Sequence, residues 1–220
     1  MSSNEKTFQK RRILSLIIIV FLSIIAVFSN PDFWSKKSPN QQTSQISQDL
    51  NSLQVKGRAP KTGYSREQFG KGWAKDSSGC DTRNRILKRD LKEARENSKC
   101  QIISGILDDP YTGKQIIFSR DKASAVQIDH VVALSDAWQK GAQQISTEER
   151  KQLANDPLNL LASDGPANQQ KGDSDAATWL PSNKVFRCEY IKRQISVKKK
   201  YRLWITQAEK SAMQTVLASC

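Results

Sequence analysis

Histidine is almost missing from this chain: His130 is the one imidazole in 220 residues. No site here can use two histidines, which excludes zinc centres of the His-x-x-x-His kind. Cysteine is scarce as well. The four present, Cys80, Cys100, Cys188 and Cys220, show no Cys-x-x-Cys spacing, so a zinc ribbon is not expected. No internal repeat is visible, and only one apolar run is free of charge, at residues 13–28.

That run is preceded by Lys10, Arg11 and Arg12. It reads as a signal peptide or an uncleaved signal anchor over residues 1–30, with the N-terminus on the cytoplasmic side. Its length is short of the roughly 20 residues a span usually takes. Phe33 and Trp34 could extend it into the headgroup layer. In both cases the rest of the chain is expected outside the cytoplasm, secreted or held at the membrane by that segment. All four cysteines lie beyond the run, and an even count in an exported chain implies two disulfides. Of the three pairings, Cys80–Cys100 and Cys188–Cys220 are preferred, because each pair brackets an expected helix.

Acidic residues are the minority: 35 Lys and Arg face 22 Asp and Glu, for a formal charge of +13. Residues 61–220 alone hold 27 and 19, a surplus of eight. A basic body suits polyanionic partners, since Lys and Arg gain affinity for phosphates by counterion release. Residues 31–60 are rich in Ser, Gln, Asn and Lys and read as a flexible linker, with a short helix near Ile46–Val55. The remaining residues, 61–220, suit one domain with a proper core.

Within that domain the periodicity predicts a helix over 82–98, capped by Asp81 or Thr82. Strands are expected at 102–107, 114–118, 125–131 and 158–162. Asp109-Pro110-Tyr111-Thr112-Gly113 and Ser163-Asp164-Gly165-Pro166 are turn signals. Further helices are expected at 147–155, from about Asn168, and over 185–197 and 201–219. The fold class is therefore α+β.

The chemistry concentrates in three short segments: Gln127-Ile128-Asp129-His130-Val131-Val132, Asn155-Asp156-Pro157-Leu158-Asn159-Leu160-Leu161, and Asn168-Gln169-Gln170-Lys171-Gly172-Asp173. A strand, a loop, a returning strand and a turn into a helix bring the first and last together. Asp129 and Asn168 then offer two oxygens to one hard cation, which suits Mg²⁺ or another divalent ion such as Mn²⁺. His130 is left to deprotonate a water. Asn159 joins this catalytic set by bonding backbone across the loop, holding the His130 strand in place. Lys171 is placed to touch a phosphate, and Arg83 and Arg85, on the basic helix, are further nucleic-acid contacts. Asp136, Trp138, Asp173 and Asp175 read as caps, core and helix-start carboxylates.

Asp-His at a strand end, Asn in Asn-Leu-Leu, and Asn-x-x-Lys-Gly-Asp resemble the His-Me finger (ββα-metal, HNH) nucleases. With Cys80-Asp81-Thr82-Arg83-Asn84, Asp109-Pro110-Tyr111-Thr112-Gly113, Leu134-Ser135-Asp136-Ala137-Trp138 and Trp179-Leu180-Pro181, the chain is similar to exported DUF1524 proteins, related to the C-terminal domain of GmrSD-type restriction endonucleases. The resemblance covers residues 61–220. It implies a ββα nuclease core in a largely helical, disulfide-braced domain, with His130 as general base and Asp129 and Asn168 as metal ligands. Many members carry Pro where this chain has Ala133.

The expected function is that of an extracytoplasmic, metal-dependent endonuclease acting on nucleic acid, DNA before RNA, with little sequence specificity. Two alternatives stay open, a secreted ribonuclease or toxin and a non-catalytic polyanion-binding module.

Overall fold

The computed structural model describes residues 39–220, with side chains from residue 44 onward. The apolar run at 13–28 and the start of the expected linker lie outside the described residues. From Thr43 to Cys220 the chain forms one compact unit.

The first helix, α1 (Pro39–Ser52), overlaps the short helix expected near Ile46–Val55 and begins several residues earlier. Ile46, Leu50 and Leu53 recur at helical spacing in an otherwise polar stretch. Leu50 and Leu53 are buried, with Ile46 packed beside them, in the core that also holds Tyr111, Tyr190 and Ile191. The folded body thus starts well before residue 61.

The expected 82–98 helix is split. The helix α2 (Thr82–Asp90) begins where Asp81 accepts from the Asn84 amide, and stops at Leu91. Lys92–Glu96 is a strand, β1. Its residues favour helix, but pairing overrides that weak preference: β1 runs antiparallel to β2 (Ile102–Asp108), and β2 to β3 (Gln115–Ser119), forming a three-stranded sheet. The Asp90 carboxylate also accepts from the Ala162 amide, fixing the end of α2 against the second sheet.

That second sheet has two strands, β4 (Val126–His130) and β5 (Leu160–Asp164), paired antiparallel with Asp129 opposite Leu161 and His130 opposite Leu160. Both faces of the pair are covered. Val126, Ile128, Leu160 and Ala162 enter the core shared with α2 and β2, while Leu161 and the following Val131 enter the core of the C-terminal helices. β5 accordingly opens on the unbroken apolar run Leu160-Leu161-Ala162, whereas β4 alternates Val126 and Ile128 with Gln127 and Asp129.

Between β4 and β5 the chain makes α3 (Leu134–Ala137) and α4 (Thr147–Asn155). A complete capping box opens α4, with Ser146 and Glu149 bonding each other's backbone. After β5 the chain turns at once into α5 (Gly165–Lys171), capped by Asp164 with Pro166 in the first turn. A Cβ on Gly165 would lie 2.2 Å from the Ser124 carbonyl oxygen, so only glycine lets the helix start this close to the strand entering the pair. Two long helices, α6 (Arg187–Lys200) and α7 (Gln207–Leu217), close the fold.

The two disulfides are Cys80–Cys100 and Cys188–Cys220. The first encloses α2 and β1. The second ties the start of α6 to the residues after α7. Each closes a loop worth about 3–4 kcal/mol in the chain-entropy account.

Candidate active site

The candidate site forms where β4 ends. Alternation along a strand sends successive side chains to opposite faces, so Asp129 and His130 leave β4 in different directions. His130 is buried, and its ring stacks at 5.7 Å and 10° on Trp73. Its Nε2 lies 2.9 Å from the Ala154 carbonyl oxygen, on the last turn of α4. A carbonyl can only accept, so Nε2 carries the hydrogen and the ring's lone pair sits on Nδ1. Burial pushes the imidazole down from 6.5 to about 4; the Ala154 carbonyl and the Asp129 charge push it up, and the positive charges of Arg66 and Lys171 push it down, each by less than burial. The ring is therefore neutral at pH 7 and able to accept a proton.

Asn159 holds this geometry through backbone. Its Oδ1 accepts from the Val132 amide at 2.8 Å, and its Nδ2 donates to the carbonyls of Val132 and Leu153, each at 3.3 Å. Its own carbonyl accepts from the Val131 amide at 2.8 Å. With no exposed surface, Asn159 touches no solvent. It binds the chain after His130 to α4, the helix that supplies the carbonyl on which His130 rests.

Asp129 is engaged on both carboxylate oxygens. The Tyr111 hydroxyl donates to Oδ2 at 2.5 Å, and the Lys171 ammonium donates to Oδ1 at 2.9 Å. Lys171 also donates to the His130 carbonyl at 2.8 Å and is itself 1 % exposed. Lys171 therefore does not reach out to a phosphate from this position. It neutralises Asp129 and pins the end of β4. Tyr111 arrives on the Asp109 turn, where Asp109 Oδ2 accepts from the Thr112 amide and hydroxyl, and Oδ1 from the Asp164 amide. Burial, with the Asp129 charge next to it, keeps the Tyr111 phenol protonated by pushing its pKa well up.

Asn168 donates from Nδ2 to Gln127 Oε1 at 2.9 Å, which leaves its Oδ1 as the free end of the amide. Asp129, His130 and Asn168 together line a cavity of about 180 Å³, with Tyr64, Arg66 and Asp173 also on its lining. A second cavity, of about 630 Å³, meets it at His130, Arg66 and Leu134 and runs along Gly70, Lys71 and Trp73.

The donor set is one carboxylate, one amide oxygen and one imidazole. Among the described residues no three His, Cys or acidic side chains converge at this cavity; the group that does converge elsewhere, Cys80, Glu96 and Cys100, contains a disulfide. A carboxylate oxygen keeps a second lone pair beside each hydrogen bond, so Asp129 and Asn168 could each offer an oxygen to a hard cation of the Mg²⁺ type, which keeps several waters and takes substrate phosphate as a further ligand. They do not make a closed cage of protein ligands.

Arg83 and Arg85 lie apart from the cavities. Arg83 is turned onto the carbonyls of Ala123 and Val126, and Arg85 bonds Asp76 and Ser78. Both use their guanidinium groups within the fold. Arg66 and Tyr111 reach the site from elsewhere in the chain. Sequence reading passed over Arg66, and it took Tyr111 only as part of a turn.

Residues 81–216 match the GmrSD restriction endonucleases, C-terminal domain. The chain belongs to this family. The match to the GmrSD C-terminal domains takes in every strand among the described residues and, of the residues that line the cavities at His130, all but those of the Tyr64–Trp73 segment. The chain is also 38 % identical over 185 residues to a protein of Arthroderma benhamiae named "Uncharacterized secreted protein", covering 83 % of this chain and 88 % of that one. No solved structure matches the chain.

Proposed function

We propose that the protein is a metal-dependent endonuclease of the His-Me finger class that hydrolyses phosphodiester bonds of DNA outside the cytoplasm. In this reading β4, β5 and α5 are the ββα unit. The observation that carries it is the His130–Ala154 bond: a backbone carbonyl fixes the hydrogen on Nε2, so Nδ1 stands as a proton acceptor in a ring that also borders the Asp129–Asn168 cavity. Membership of a restriction-endonuclease domain family supports nuclease chemistry. Two disulfides and a relative named as a secreted protein support action outside the cytoplasm.

His130 Nδ1 takes a proton from a water, and the water oxygen bonds to phosphorus as the bond from phosphorus to the 3′ oxygen breaks. Asp129 and Asn168 would hold Mg²⁺ or Mn²⁺, whose charge stabilises the negative charge gathering on phosphorus and on the leaving oxygen. Lys171 and Tyr111 orient Asp129 by bonding one oxygen each. Asn159 and Ala154 orient His130. The anionic phosphate itself raises the histidine's proton affinity on arrival, bringing a base that burial depresses nearer to working pH.

The test is plasmid nicking by the full chain in Mg²⁺ and in Mn²⁺, with and without EDTA, with a labelled RNA run in parallel. The wild type is expected to nick DNA, EDTA to stop it, and His130→Ala with an unchanged melting temperature to be inert. Asn168→Ala needs more Mg²⁺ for half-maximal rate. Undiminished nicking by folded His130→Ala removes the general-base assignment, and preferential cutting of the RNA reverses the choice of substrate.

A further inference from the structure

The basic residues near the site divide sharply by what they touch. Lys171 holds Asp129, Lys61 holds Asp173, Arg58 holds Asp136 and Asp175, and Arg83 and Arg85 are bonded within the fold. Arg66 differs. It is exposed, and among the described residues its guanidinium makes no hydrogen bond or ion pair. It also sits where the two cavities meet, on the same wall as His130. Its position is fixed from below. Arg66–Phe69 is a single 3-10 turn, and Phe69, 1 % exposed, locks it edge-on against Tyr64 and Trp138.

The larger cavity continues from Arg66 along Gly70, Lys71, Gly72 and Trp73. Gly72 has a φ of +74° and a Cβ there would meet nothing within 4 Å, so the wall is open to a ligand. Lys71 is exposed on the same wall. A groove lined by His130, an unpaired guanidinium and a second cation, with the Trp73 ring stacked on His130, suits a polyanionic strand. A guanidinium fork matches two phosphate oxygens at once, which a lysine cannot do.

We propose that Arg66 binds the scissile phosphodiester beside His130, and that the groove lined by Arg66, Lys71 and Trp73 seats the adjoining nucleotides, with Lys71 on a flanking phosphate. This rests on the nuclease reading and adds the phosphate contact that Lys171, Arg83 and Arg85 do not supply. The guanidinium would donate hydrogen bonds to the non-bridging oxygens as negative charge builds up on them during attack, where a preorganised donor has its largest effect on rate.

The experiment uses the full chain and has two readouts. The first is nicking rate against substrate concentration for the wild type, Arg66→Ala and Arg66→Lys. The second is binding of a fluorescent DNA duplex across a salt series in Mg²⁺, measured in a His130→Ala background with and without Arg66→Ala. Lys114→Ala, in the β2–β3 turn and on neither cavity, loses the same unit of charge and is the control. Arg66→Ala is expected to lower kcat/KM by about 10²-fold or more, with Arg66→Lys between it and the wild type. The slope of log affinity against log salt should become shallower by about one unit, while Lys114→Ala leaves it in place. An Arg66→Ala slope equal to that of the control overturns the contact, whatever happens to the rate. If the wild type cuts neither DNA nor RNA, the nuclease reading fails, and the slope still decides whether Arg66 grips phosphate.

Discussion

Burial, more than any neighbouring charge, sets the protonation of His130. In the unfolded chain the imidazole titrates near 6.5 and in the folded protein near 4. Between these values the unfolded state binds more protons, so stability falls as pH drops through this window. The contribution is complete above the unfolded value and gone below the folded one, and the gap corresponds to about 3 kcal/mol. Urea titrations in EDTA from pH 7 to pH 4 should show His130→Gln losing less stability than the wild type over that range. Parallel losses would mean that the ring is not buried in its neutral form. The order Asp129, His130, Asn159, Asn168 was readable because each lies in a short local motif. The side-chain directions were not. Lys171 follows Asn168 by three residues and was expected to face a phosphate, yet the last turn of α5 aims it inward at Asp129. Tyr111, Ala154 and Arg66 come from separate turns and a separate helix, and no spacing in the sequence brings them to β4.

At the level of elements, pattern reading worked where one face of one element decided the outcome. The strands at 102–108, 115–119 and 126–130 and the capped helix α4 follow from local apolar runs and a complete capping box. It failed where a neighbour decided. Lys92–Glu96 has helix-favouring residues, and only β2 makes it a strand. A short helix was legible near Ile46–Val55, but the polar composition of 31–60 gave no sign that Ile46, Leu50 and Leu53 pack into the core of the C-terminal helices. Leu50 is 1 % exposed, so Leu50→Ala should cost about 2–5 kcal/mol through lost transfer energy and the cavity left behind. Equilibrium denaturation of the full chain measures this. A change below about 0.5 kcal/mol, the size expected of a surface site, would return α1 to the linker.

Across the whole molecule, charge is sorted by depth. Lys140 and Lys198, both without exposed surface, bond Asp136 and Glu209, and Lys140 also bonds Asp175, which Arg58 caps from the outside. Three acids and three bases cancel there, so this cluster fixes α3, α6 and α7 together without contributing to the outer field. Among the described residues, buried Lys and Arg number four, against six buried Asp and Glu. Removing them from residues 61–220 leaves a surplus of ten basic groups on the remaining surface, greater than the eight of the whole segment. The fold thus exports positive charge and keeps negative charge inside. Such a surface attracts phosphate backbones without reading bases. The catalytically inert His130→Ala protein should therefore bind unrelated duplexes of equal length with affinities within a few-fold of one another, and lose affinity steeply as salt rises. Each phosphate neutralised adds about 0.9 to the slope of log affinity against log salt on duplex DNA. A strong preference for one duplex that persists at high salt would place base-edge contacts on this surface and make the protein a sequence-specific one.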